Sequence, residues 1–176
     1  MQSILMNIQA EHNSNIEKGL QISELRTRAP RLQTPFKVYT YESGINGRQK
    51  VVNEWICKDI TTWRMCAGLP AHLSKVACVS NQYIWDYCDR GRKEIDEMHI
   101  SDLVIYDKPK ELSEFMVECN GIGKEKSCFK CDYYRLIKDH NSPFVGSGQY
   151  NMKCVCNYLR PLKNPPKSWC YVVVKG

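Results

Sequence analysis

Five cysteines in the last third of the chain have the spacing of a metal-binding cluster. They follow the pattern Cys-x8-Cys-x2-Cys-x22-Cys-x-Cys and are Cys119, Cys128, Cys131, Cys154 and Cys156. Zinc prefers thiolates in tetrahedral geometry, and a Cys-x-x-Cys pair followed by distant cysteines is typical of a structural zinc site. We therefore predict a zinc knuckle formed by the first three cysteines and one of the last two. An iron–sulfur cluster also uses four thiolates, and free loop thiols are the alternative without metal.

The segment that holds these cysteines is strongly basic. Residues 121–176 carry ten Lys or Arg against three Asp or Glu, whereas residues 61–120 carry seven against ten. The cations around the cysteines are Lys124, Lys126, Lys130, Arg135, Lys138 and Lys153. Such a surface attracts anions, so we expect RNA or another nucleic acid, or an acidic protein or nucleoprotein complex, as partner. A basic surface that serves solubility alone is the competing interpretation.

A second set of chemically capable residues lies in the stretch KGLQISELR, residues 18–26. If this stretch is a strand, Glu24 and Arg26 lie on the same face, because side chains alternate along a strand. The pair is then a solvated edge, an ion pair in a pocket or part of a ligand site. The spacing alone leaves these three interpretations open.

Aromatic and basic residues also share one face of a later predicted strand. Lys37, Tyr39 and Tyr41 alternate with apolar residues in FKVYTYE. Aromatic rings beside a cation suit base stacking and phosphate contact, although ordinary sheet packing explains the same pattern. His99 either orients a ligand or caps a strand end, and we favour the second. No paired carboxylates, Ser-His-Asp order or Gly-rich phosphate loop stands out, so no catalytic residue is assigned.

The elements that position these residues are mainly short strands. We predict strands at residues 3–9, 21–27, 36–42, 49–60, 97–109 and 168–175, with residues 36–60 forming a hairpin. A helix covers residues 10–19 and ends at Gly19, and one or two short helices lie within residues 61–98, with Ser80 as a possible N-cap. Many strands and few helices predict an α+β fold built on a small β-barrel. We expect one domain, residues 1–176, with a Cys-rich basic insertion at residues 117–160.

The remaining cysteines and the overall hydropathy bear on the compartment. Cys57, Cys66, Cys78, Cys88 and Cys170 lie among apolar residues, and we expect buried, reduced thiols. No apolar run approaches the roughly 20 residues of a membrane span, and the N-terminus lacks a basic signal-peptide region. We therefore expect a cytoplasmic protein without disulfides or a membrane partner.

Three stretches resemble small ASCH-domain proteins of the PUA-like superfamily, which are often found in bacterial and prophage genomes. They are EKGLQISELR, HISDLVIYDKPKELSEF and PPKSWCYV. The resemblance spans residues 1–172 and is weakest over residues 61–98. It implies a β-barrel with a cleft, in a superfamily associated with RNA and modified nucleotides, of which a few members are amidohydrolases or ribonucleases.

The signature of that family, Gly-x-Lys-x-x-Glu-x-Arg, falls on Gly19, Gln21, Glu24 and Arg26. The resemblance places Glu24 and Arg26 beside the cleft, where Lys37, Tyr39, Tyr41 and His99 are further candidates. Gln21 replaces the lysine that is implicated in the chemistry of hydrolytic relatives. An amide neither takes up nor releases a proton near neutral pH, so the substitution weakens the case for catalysis.

Three functional hypotheses follow. The leading one is a non-enzymatic, PUA-like module, of bacterial or prophage origin, that binds RNA or a ribonucleoprotein. The second is a small amidohydrolase or ribonuclease that acts on modified nucleosides or RNA through Glu24. The third, by analogy alone, is a mobile-element inhibitor of a host defence nucleoprotein complex, for which the acidic residues 86–118 would form the contact surface.

Overall fold

The computed structural model describes residues 1–64, 68–118 and 159–174. The chain divides into two compact units, one formed by residues 1–116 and 161–176 and the other by residues 117–160. Most of the second unit lies outside the described residues, and so does Cys66. The predicted zinc ligands and basic surface lie there too: Cys119, Cys128, Cys131, Cys154, Cys156, Lys124, Lys126, Lys130, Arg135, Lys138 and Lys153. These predictions stay predictions.

Strands dominate the described part of the chain. The strands are β1 (Ser3–Gln9), β2 (Ser23–Arg26), β3 (Phe36–Ser43), β4 (Val51–Arg64), β5 (Glu94–Lys110), β6 (Phe115–Glu118), β7 (Leu159–Pro161), β8 (Trp169–Tyr171) and β9 (Val173–Val174). The helices are α1 (Ala10–Glu17), α2 (Leu73–Val76) and α3 (Asn81–Tyr87), and a 3-10 turn covers Leu112–Glu114. None of the helices in these ranges has the length and apolar character that a bilayer crossing requires.

A six-stranded mixed sheet forms the centre of the first unit, with the strand order β2-β5-β4-β3-β1-β8. β1 pairs with β3 in parallel, and the other neighbours pair in antiparallel fashion. β3 and β4 form the predicted hairpin. Irregularities in the β4–β5 register, between Val51 and Asn53, Glu54 and Ile56, and Cys57 and Ile60, are sites where a strand bends. The sheet is a half-barrel, which fits the predicted α+β class.

Two apolar clusters pack against this sheet. The larger includes Trp55, Phe36 and Met98, whose side chains are fully buried, and it also contains Cys57. The smaller lies beneath α2 and α3 and contains Leu73, Ile84, Cys88 and Ile95. Burial raises the pKa of the Cys57 thiol to about 12, despite a hydrogen bond to the backbone of Asp59. The predicted burial is confirmed for Cys57 and Cys88, whereas Cys78 and Cys170 are only partly buried, against the prediction.

Local signals set the ends of the short helices. Gly19 has φ +69° just after α1, the left-handed conformation that a glycine adopts without a Cβ penalty. The side chain of Ser80 accepts a hydrogen bond from the backbone of Tyr83, so it caps α3 as predicted. Both helices therefore end or begin at the residues that their sequence patterns indicate.

The chain end is two strands where the sequence predicts one. β8 pairs with β1, and β9 pairs with β6 in a three-stranded sheet of order β7-β6-β9. At Val172, which separates them, the backbone N–H donates to the carbonyl of Ser3 and the carbonyl accepts from the Ser3 hydroxyl. The interruption at Val172 lets the final residues leave the large sheet and join the small one. Alternating hydrophobicity does not reveal such a change of partner.

Candidate functional site

A cleft of about 230 Å³ lies within the first unit. It is bounded by the end of β1, the start of α1, the region around β2, and helix α3. Its lining residues are Asn7, Ile8, Gln9, His12, Gln21, Glu24, Leu25, Arg26, Ser43, Ala77, Val79, Tyr83, Ile84, Tyr87 and Lys167. Because these residues come from elements far apart in the chain, the cleft exists only once the sheet and the helices have assembled.

One side of the cleft holds a chain of three polar side chains from the β2 region. The amide nitrogen of Gln21 donates to Glu24 Oε2 at 2.8 Å, and Arg26 Nη2 lies 2.9 Å from Glu24 Oε1. Gln21 and Glu24 are only 3% and 7% exposed. Each carboxylate oxygen of Glu24 therefore has a donor, and the charges of Glu24 and Arg26 offset each other.

The same group contains two polar atoms without a partner among the described residues. They are Gln21 Oε1 and Arg26 Nε, and both are buried. The rest of the Arg26 guanidinium is fixed, because its terminal nitrogens donate to the carbonyl of Asn7 and to the hydroxyl of Ser168. An unpaired buried acceptor or donor costs free energy, so each of these atoms calls for a partner, such as a bound ligand, ion or water.

Aromatic rings form another part of the cleft. Tyr83 and Tyr87 lie four residues apart on α3, and their rings are nearly parallel, with centroids 6.2 Å apart. His12 contacts Tyr83 at 5.9 Å between ring centroids. Burial raises the pKa of Tyr83, and the nearby Tyr87 and Glu24 add to this rise against the opposing charge of Arg26. The Tyr83 hydroxyl therefore stays protonated at neutral pH, although Tyr83 as a whole is 49% exposed.

A second cavity of about 450 Å³ shares Arg26, Tyr87 and Lys167 with the first. Its other lining residues are Thr27, Arg28, Ser168 and Trp169. It lies where the chain leaves β2 and where it approaches β8. The two cavities are thus neighbours in one continuous depression of the first unit.

Solved structures share this fold, although no protein-family sequence model and no curated protein sequence matches the chain. The ASCH protein of Zymomonas mobilis matches with a TM-score of 0.54 and 17% identity, over 62% of this chain and 73% of that one. A tyrosine-to-phenylalanine variant of it matches with a TM-score of 0.55 and 17% identity, over 64% and 77% of the two chains. This chain has an ASCH-like fold. The fold thus agrees with the resemblance that the three sequence stretches carry.

Within the ASCH-like fold, the three signature residues Gln21, Glu24 and Arg26 line the same cleft. Gln21 and Arg26 each contact Glu24. Gln21 occupies the signature's lysine position and directs its amide NH₂ to Glu24 and to the carbonyl of Ser23. Glu24 and Arg26, an acid and a base on one strand face, form an ion pair at the edge of a cavity.

The ASCH-like fold places three other candidates elsewhere. Lys37 forms an ion pair with Glu54 at 2.5 Å, Tyr39 packs edge-on against Phe115, and the Tyr41 hydroxyl donates to Gln49. None of the three lines either cavity. The hydrogen bond from Lys37, partly offset by burial, raises the pKa of that lysine, so its ammonium stays charged beside Glu54. The contacts of Lys37, Tyr39 and Tyr41 are therefore packing and pairing contacts around the sheet, outside both cavities.

His99 also lies outside both cavities of the ASCH-like fold. Its Nε2 is 3.2 Å from the Thr61 hydroxyl, and its Nδ1 is 4.0 Å from Glu97. The histidine therefore bridges β4 and β5 and faces Ser23 of β2 in the register. His99 lies within β5 and not at a strand end, so its contacts are structural but it does not form the strand cap that we favour from the sequence.

Several residues that line the two cavities belong to no motif recognised in the sequence. His12, Tyr83, Tyr87 and Lys167 line the first cavity, and Arg28 and Trp169 line the second. The spacing of Tyr83 and Tyr87 on a predicted helix indicates a shared face. No sequence signal shows that this face turns towards Glu24. Among the described residues, no group of three His, Cys, Asp or Glu side chains is placed to hold a metal ion.

Proposed function

We propose that this chain is a non-enzymatic binding module that holds one unpaired base of an RNA in its cleft. The observation that carries the proposal is the pairing of the exposed Tyr83 and Tyr87 rings with the polar group of Gln21, Glu24 and Arg26. A flat, polar ring is the ligand that fits both. The ASCH-like fold supports the same class of ligand, through the superfamily's association with RNA.

Base stacking supplies the affinity in this proposal. Each base that stacks on an aromatic side chain contributes roughly 1–3 kcal/mol, and this term tolerates different bases. Tyr83 is half exposed and Tyr87 more than a third exposed, so both rings have a face available. Single-stranded RNA presents unpaired bases, whereas a duplex hides them, and we therefore expect a preference for single strands.

The polar group supplies orientation and does not supply a proton. The Gln21 amide does not titrate near neutral pH, and both Glu24 oxygens already accept from Gln21 and Arg26. A general base needs access to the proton that it removes, and a nucleophile needs an adjacent base. Cys57, Cys88 and Cys170 have pKa values raised by burial, so none of these thiols is an activated nucleophile.

Titration of single- and double-stranded RNA and DNA at several salt concentrations tests the proposal. Wild-type protein should bind single-stranded RNA, and Tyr83→Ala should weaken binding by about fivefold to a hundredfold. Tyr83→Phe keeps the ring and is the matched control, which should bind as wild type does. No binding even at low salt, or full binding by Tyr83→Ala, would contradict the proposal.

The hydrolase hypothesis is tested in the same preparation. Purified protein is incubated with acylated cytidines and with labelled RNA, and product formation is followed over time. We expect no turnover. Turnover that disappears in Glu24→Ala would replace the binding module with an enzyme, because it would show that Glu24 acts on the ligand.

A further inference from the structure

The second cavity is lined by cations and hydroxyls without any acid. Arg26, Arg28 and Lys167 line it together with the hydroxyl side chains of Thr27 and Ser168, and no Asp or Glu is among its lining residues. Arg28 and Lys167 form no ion pair within residues 1–64, 68–118 and 159–174. Arg26, by contrast, pairs with Glu24. Two unpaired cations at one cavity favour an anionic occupant.

The backbone around these cations is held in place. The N–H of Asn7 donates to the carbonyl of Ser168 at 2.8 Å, and the Asn7 side-chain amide donates to the carbonyl of Pro166 at 3.0 Å. Lys167 lies between these two fixed carbonyls. The indole N–H of Trp169 donates to the carbonyl of Arg28 at 2.9 Å, which ties the two sides of the cavity together. The cations therefore project from a fixed frame, which lowers the entropy lost on binding.

Arg26 connects this cavity to the cleft. It lines both cavities, its Nη2 contacts Glu24 in the first, and its Nη1 contacts the Ser168 hydroxyl in the second. Its Nε is buried without a partner among the described residues. Tyr87 also lines both cavities, so a ring that stacks there has the cationic cavity next to it.

We propose that the second cavity is a phosphate subsite, formed by Arg28 and Lys167 with Arg26 at its inner edge. Guanidinium and ammonium groups beside hydroxyls form strong, charge-assisted hydrogen bonds with phosphate oxygens. This inference rests on the proposed function and narrows it: the ligand is a nucleotide with its phosphate, free or within a strand, and not a nucleoside. A neutral nucleoside leaves the cations of the second cavity without a counter-charge.

An NMR titration of the full-length protein tests the subsite. The probes are the four ribonucleosides, their 5′- and 3′-monophosphates, and inorganic phosphate, followed through the Trp169 indole N–H and the Gln21 side-chain amide. We expect at least one monophosphate to bind about tenfold more tightly than its nucleoside, with a shift of the Trp169 signal that the nucleoside does not cause. The advantage should shrink as salt is raised.

Two double variants locate the effect. Arg28→Ala with Lys167→Ala should lower the affinity for the monophosphate to that for its nucleoside. Lys58→Ala with Lys108→Ala removes the same charge from exposed positions on β4 and β5 and should preserve the advantage. A phosphate advantage that survives the loss of Arg28 and Lys167 would overturn the subsite.

The remaining outcomes separate this inference from the proposed function. Equal affinity for nucleosides and monophosphates would overturn the subsite and leave the base-binding cleft standing. Binding of inorganic phosphate at Trp169 without any nucleoside or nucleotide in the cleft would support the subsite and overturn base binding. No response to any probe would overturn both.

Discussion

The side chain at position 21 determines the net charge of the polar group formed by residues 21, 24 and 26. In the family signature a lysine stands there, so an ammonium, a carboxylate and a guanidinium would give an excess positive charge. Gln21 leaves Glu24 and Arg26 as a balanced pair, with the amide as a neutral donor to Glu24. Removing one partner of such a buried pair destabilises the folded protein, because the other charge is left without compensation.

Glu24→Ala tests this balance. The variant leaves Gln21 Nε2 and Arg26 Nη2 without their shared acceptor in a site where Glu24 is 7% exposed. We expect the free energy of unfolding to fall by about 2–4 kcal/mol, measured by urea denaturation. Glu24→Gln keeps one acceptor oxygen and should cost less.

A matched control uses an ion pair on the exposed surface. Arg64 and Glu94 approach to 3.2 Å, but their side chains are 79% and 58% exposed. Glu94→Ala should cost less than about 1 kcal/mol, because water screens the pair. If Glu24→Ala is no more destabilising than Glu94→Ala, the pair in the cleft is not the buried interaction described above.

At the scale of elements, a polar network fastens α1 to the β3–β4 hairpin. Asn13 of α1 donates to Glu42 at 2.7 Å, and Arg48 between the two strands donates to both Glu42 and Glu17 at 2.6 Å. Asn53 of β4 donates to Asn13 at 2.7 Å. This network lies beside the cleft, since α1 carries His12 into it. The network therefore helps to position one part of the cleft.

The network predicts a loss of stability in acid. Burial opposes ionisation of Glu42, but hydrogen bonds from Arg48 and Asn13 outweigh it, so the pKa of Glu42 lies below its ordinary value of 4.5. The unfolded chain therefore takes up this proton at a higher pH than the folded protein does. The stability that Glu42 contributes is complete above the unfolded pKa and is lost as the pH falls through the lower folded pKa.

Urea unfolding from about pH 6 to about pH 3 measures this dependence. Stability of the wild type should fall more steeply over that range than stability of Glu42→Gln, which cannot titrate at this position. Glu11→Gln, at an exposed site in α1, should follow the wild type. Parallel curves for wild type and Glu42→Gln would show that Arg48 and Asn13 do not hold the charged form.

At the scale of the whole molecule, both cavities belong to the first unit, residues 1–116 and 161–176. The second unit, residues 117–160, carries the five cysteines of the predicted cluster and seven Lys or Arg against four Asp or Glu. Zinc binding and folding are coupled in small Cys-rich segments, because the metal supplies the stabilisation that a small core cannot. We therefore keep the structural zinc site as a proposal for this unit.

Elemental analysis of protein purified under reducing conditions tests the zinc site. We expect about one zinc per chain, and a chelator should lower the melting temperature. Cys128→Ser should lower the zinc content, whereas Cys78→Ser, outside the cluster and next to α2, should not. Iron in place of zinc, or a metal-free protein of unchanged stability, would contradict the proposal.

Patterns between near neighbours in the chain sufficed for the short elements. The bounds of β1, the hairpin from Phe36 onwards, the Gly19 terminus of α1 and the Ser80 cap of α3 all follow from the types of adjacent residues. The contacts of Glu24 with Gln21 and Arg26 are equally local, because all three lie within six consecutive residues. Spacing within a strand and its preceding turn was enough to bring these side chains together.

The partners of each element depended on the tertiary structure. β1 pairs with both β3 and β8, and the chain changes sheets at Val172. These contacts join segments up to about 170 residues apart. Alternating hydrophobicity does not specify which strands pair. The same holds for the cleft, where Tyr83 and Lys167 meet Glu24 only after α3 and the approach to β8 have packed on the sheet. Sequence determined which side chains have suitable chemistry, since that is a property of each residue and its close neighbours. Folding decided which of them share a cavity, since that depends on contacts between distant segments.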